Sequence, residues 1–86
     1  MVSATIVFDT MNDVTHFVNK ASKQPYDIDI VKDKTELDGK SFEGIITVGL
    51  SQDLKCVLHT DVDNAKEFID SIKPLCKSNF TECVKR

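Results

Sequence analysis

The 86-residue chain has no apolar run approaching the roughly 20 residues that a bilayer requires, so no membrane association is expected. Its opening, MVSATIVFD, lacks the basic flank and long apolar region of a secretory signal, which makes a cytoplasmic protein the expectation. Basic charge is also short. Eleven lysines and arginines stand against 14 aspartates and glutamates, and the two signs are mixed along the chain. No basic stripe is left to neutralise phosphates along a duplex, and nucleic acid is not an expected partner. Three cysteines, Cys56, Cys76 and Cys83, lie far apart and in no spacing that would close a tetrahedral metal site. They read as reduced thiols, Cys56 in the core and Cys83 toward solvent in a polar tail. No metal, cofactor or catalytic group is expected.

What is present is a pattern. Ala4, Ile6 and Phe8 alternate with Ser3, Thr5 and Val7, the period of a strand with one buried face. Thr10 and Asp13 resemble a capping box, and Val14, Phe17, Val18 and Ala21 follow at helical spacing until Pro25 disfavours continuation. Tyr26, Ile28 and Ile30 mark a second strand, Asp33 and Lys34 a turn, and Leu37 a short third strand. One or two helical turns begin at Ser41, limited by Gly44 and Gly49. Leu54, Cys56 and Leu58 alternate with Lys55, Val57 and His59 as a fourth strand. Asp61 or Asp63 then caps a helix with the core stripe Ala65, Phe68, Ile69 and Ile72, which Pro74 ends or kinks. This order, β-α-β-β-α-β-α, predicts an α+β fold: a four-stranded, mainly antiparallel sheet with three helices on one face. At this length the chain has room for one core. Residues 1–76 are assigned to that domain, and residues 77–86 to a polar C-terminal tail that frays.

The segment ASKQPYDIDIVKDKTELDGKSFEGIITVGLS resembles HPr, the histidine-containing phosphocarrier of the bacterial sugar phosphotransferase system. The resemblance covers residues 14–72 and is most specific in GKSFEGIITVGL. It implies an open-faced β-sandwich, in agreement with the periodicity. It also implies a Gly-x-His-x-Arg-Pro loop after the first strand, with the histidine at a helix start where free N–H groups and the positive helix end hold a phosphoryl group. This sequence has no such loop. Counting back from ASK puts Thr10 at the phosphoacceptor position, Asn12 at the arginine and Asp13 at the proline. Counting from the first strand, the loop is shortened by several residues. Either way the acceptor is lost. His16 faces away from the helix's apolar stripe, and His59 ends the fourth strand with no acid expected beside it, so neither replaces it.

The resemblance further maps Ser41 onto the family's regulatory serine, which HPr kinase/phosphorylase modifies and a transcriptional regulator then reads. Lys40, Phe42, Ile45 and Ile46 would form the docking patch around it. Two readings of Ser41 stand side by side: a phosphorylation switch, or a helix cap with Phe42, Ile45 and Ile46 partly or wholly in the core. Glu43 stands where the family often has an apolar residue, and its carboxylate repels a phosphate. The function implied is a non-catalytic, regulatory HPr-like protein, unable to carry phosphohistidine, acting through protein partners. The alternative is a diverged interaction or small-ligand-binding module with no role in sugar transport.

Overall fold

A computed structural model of the chain describes residues 1–83. Strand β1, Val2–Ile6, buries Val2, Ala4 and Ile6 and leaves Ser3 and Thr5 half-exposed, as the two-residue period requires. Helix α1, Met11–Ala21, turns Val14, Phe17 and Ala21 inward. Strands β2, Ile28–Lys32, and β3, Thr35–Asp38, form a hairpin whose turn residue Asp33 has φ 54°, a left-handed conformation that aspartate tolerates. Helix α2, Phe42–Val48, stops at Gly49, whose φ of 106° suits glycine. Strand β4 is Leu54–Leu58. Helix α3, Val62–Ser71, starts at the Asp61 cap, and a 3-10 turn, Lys73–Leu75, carries Pro74.

The strands run in the order β3-β2-β4-β1, with a short fifth strand, β5, Thr81–Glu82, beyond β1; every pairing is antiparallel. Helices cover one face, and their apolar sides meet the inward residues of β1, β2 and β4 in one core. Phe17 is its hinge-pin: its ring packs edge-on against Phe8 at 5.2 Å and Phe68 at 5.6 Å, joining the end of β1, α1 and α3. Gly39 fits because a Cβ there would lie 2.6 Å from the Ile28 side chain, while its N–H donates to the Ile28 carbonyl at 2.7 Å. That contact sets where the chain turns from β3 into α2.

Three sequence expectations need correction. Among the described residues the sheet has five strands, one more than the apolar alternations show. The polar segment after residue 76 does not fray over residues 77–83: Lys77 N–H donates to the Thr5 carbonyl at 2.7 Å, the Ser78 hydroxyl accepts from Thr5 N–H at 2.9 Å, and Cys83 N–H donates to the Met1 carbonyl at 3.0 Å. Phe80 packs against the core. Backbone bonds hold this segment, and they leave no trace in hydropathy; residues 84–86 of the expected tail lie outside the described residues. Val57, expected to face outward, is on the outer face yet 4% exposed, because β4 is central and Ser3 and Asp29 flank Val57 in register.

Candidate functional site

Helices α1 and α2 lie side by side in opposite directions. Lys40, just before α2, reaches the Gln24 carbonyl past the end of α1 with its Nζ at 2.8 Å. At the other end Ser51 N–H, just after α2, donates to the Phe8 carbonyl just before α1, at 2.7 Å. Each helix start therefore sits beside the other's finish.

At the start of α1 the Thr10 hydroxyl accepts from Asp13 N–H at 3.1 Å. Asp13 reaches back, and its Oδ2 accepts from the N–H groups of Asp9 at 3.0 Å and Thr10 at 3.2 Å. The capping box is complete. Two donors at this helix start, where an anion would otherwise be stabilised, are held by the protein's own carboxylate. Thr10, the position aligned with the family's phosphoacceptor in the sequence, is a cap whose side chain is engaged with Asp13.

At the start of α2 the Ser41 hydroxyl accepts from Gly44 N–H at 3.2 Å. Ser41 is half-buried, and the exposed Glu43 stands in the same first turn. Ile45, assigned to the docking patch with Phe42 and Ile46, is fully buried and belongs to the core. Ile46 is partly buried against that core, and Phe42 is 36% exposed. Lys40 is tied to Gln24 and is not a free surface cation. Two apolar side chains that periodicity did not single out, Met11 and Leu50, are exposed at the end of the pair where α1 begins and α2 finishes.

The histidines lie elsewhere. His16 is exposed on α1, and its Nε2–H donates to the Ser71 carbonyl at the end of α3, at 2.8 Å. His59 does have an acid beside it, contrary to expectation: Nε2 lies 2.7 Å from Asp29 Oδ2. Only the adjacency of β2 and β4 brings this pair together, across 30 residues of sequence. Burial pushes the Cys56 thiol far up, assisted by Cys76 and Asp29. Burial also raises Cys76, opposed by the Lys73 ammonium. Both thiols are thereby held in the form that is neither nucleophile nor metal ligand. Among the described residues no three histidine, cysteine or acidic side chains gather as a metal site, and no helix is long and apolar enough to cross a membrane.

A family model described as the PTS HPr component phosphorylation site matches residues 11–78. The chain belongs to the HPr family. Among solved structures it is similar to HPr-C-His from Thermoanaerobacter tengcongensis, at 28% identity and a TM-score of 0.67, over 85% of this chain and 92% of that one. The histidine-containing phosphocarrier protein of a Mycoplasma shares the fold at 13% identity and a TM-score of 0.65, over 88% of this chain and 99% of that one. No curated protein gives a significant match. The fold is therefore the HPr phosphocarrier fold of the phosphotransferase system, the α+β open-faced sandwich expected from the periodicity. HPr proteins are carriers of phosphoryl groups that meet other phosphotransferase proteins, rather than catalysts. The family match begins at Met11, so the β1–α1 junction with Thr10 lies just ahead of it.

Proposed function

We propose that this HPr-family protein is non-catalytic and regulatory, carries no phosphohistidine, and acts by protein–protein contact in the cytoplasm. The observation that carries the reading is the Asp13 carboxylate on the N–H groups of Asp9 and Thr10. An incoming phosphoryl group would have to displace that carboxylate, against like charge, to reach a threonine that has no imidazole. His16, well inside α1, and His59, at the end of β4, are both away from this helix start.

The contact surface is the α1/α2 side, with Phe42, Ile46, Met11 and Leu50 as its apolar members and Lys40 tied down at the end where α2 begins. Ser41 is its switch. The modifying partner is HPr kinase/phosphorylase, and the reader of the modified form is a transcriptional regulator. Ser41 supports this by standing at a helix start whose third residue is Gly44, so that no carboxylate of its own capping box covers the N–H groups. Glu43 weakens the site, since its charge opposes a phosphate of about -1.5 to -2.

Two incubations test the reading. With enzyme I and phosphoenolpyruvate, the expected result is no acid-labile phosphate on the protein. With HPr kinase and ATP, phosphate is expected on the wild type but not on Ser41→Ala, and faster on Glu43→Met. Phosphohistidine in the first assay overturns the non-carrier reading. A blank for both wild type and Glu43→Met in the second removes the switch and leaves an interaction or small-ligand module unconnected with sugar transport.

A further inference from the structure

We infer that Lys40 couples Ser41 to the C-terminal end of α1, which lies beside it: a negative charge at Ser41 and the Gln24 carbonyl compete for the same ammonium group. The inference extends the proposed role of Ser41 as a modified position and rests on it for its biological occasion.

Gln24 closes α1. Its N–H donates to the Ala21 carbonyl at 3.0 Å, its side-chain amide donates to the Lys20 carbonyl at 3.2 Å, and Lys23 N–H donates to Lys20 at 3.3 Å. Carbonyls past a helix end lack partners within the helix, and a cation there is favoured by the helix dipole. Lys40 supplies that cation from outside α1, through a partly buried hydrogen bond of 2.8 Å. Its backbone is fixed as well, since Lys40 N–H donates to Asp38 Oδ1 at 2.9 Å. The ammonium that finishes α1 thus belongs to the residue directly before the cap of α2.

A neutral carbonyl is a weaker partner for an ammonium than an anion is. Charge placed on Ser41 therefore draws Lys40 away from Gln24, and the turn that follows α1 loses the bond at its Gln24 carbonyl. In this arrangement an event at the start of α2 is felt at the end of α1 without any change in the core.

The test separates charge from capping. Ser41→Asp and Ser41→Asn both provide an N-cap acceptor of similar quality and differ in charge. The readouts are the Gln24 carbonyl carbon shift and amide exchange at Lys23 and Gln24, measured by NMR on the full chain. Relative to Ser41→Asn, Ser41→Asp is expected to shift the carbonyl and to raise exchange about two- to threefold, the scale of a single exposed ion pair. The difference should fade in 1 M salt and be absent in a Lys40→Met background. Identical behaviour of the two variants overturns the coupling, as does a difference that survives Lys40→Met. Because no kinase is used, failure here is distinct from failure of Ser41 as a kinase substrate.

Discussion

Two helix starts on one side of the molecule use the same device and arrive at opposite surfaces. Both are capped by a hydroxyl that accepts from the backbone N–H three residues on: Thr10 from Asp13, and Ser41 from Gly44. At α1 that third residue carries a carboxylate, which folds back onto the N–H groups of Asp9 and Thr10. At α2 it is a glycine, and nothing from that position returns to the cap. A single side chain at the third helical position thus separates a two-way capping box from a one-way cap. Under the proposed function, this difference moves phosphorylation from the first helix to the second.

The comparison can be broken at several depths. The deepest break removes the core under both starts: Phe68→Ala is expected to cost about 3–5 kcal/mol in denaturant unfolding, and a loss under about 1 kcal/mol would mean that α3 does not dock as described. Alkaline pH should also weaken both starts together. The buried Cys56 thiol titrates higher in the folded than in the unfolded chain. Its contribution is therefore intact below the unfolded thiol range and is lost as pH rises above it, at about 1.4 kcal/mol per pH unit. Replacing Cys56 with Ala should flatten that alkaline slope, and an unchanged slope would place its cause elsewhere. The smallest effect is local to the caps. Thr10→Ala, which dismantles a two-way box, is expected to cost about 1 kcal/mol, and Ser41→Ala, which removes one bond, about half as much. Equal costs in urea denaturation would remove the energetic distinction between the starts.

Much of the scaffold could be read from the chain because its elements advertise themselves by side-chain period. The Thr10–Asp13 box, the Ser41 and Asp61 caps and the stripe Ala65, Phe68 and Ile72 all lie where local spacing puts them. Strand β5 was not legible because two polar residues bonded through their backbones to β1 have no hydrophobic period. The site was legible only in part. Ser41 and Thr10 follow from alignment with a family motif, but Ile45 and Ile46 are adjacent in sequence, and only packing decides that Ile45 is wholly buried. The hydrogen bond from Lys40 to Gln24 and the Asp29–His59 pair join segments 16 and 30 residues apart, so they depend on which elements become neighbours.

The central claim is that the Asp13 carboxylate closes the first helix to phosphate, and restoring an acceptor beneath it tests this most directly. Thr10→His and the double variant Thr10→His/Asp13→Ala can be compared for acid-labile phosphate after incubation with enzyme I and phosphoenolpyruvate, once circular dichroism shows both folded. The account predicts little or no phosphohistidine on the single variant and a clear gain on the double. No gain on removing the carboxylate would contradict it.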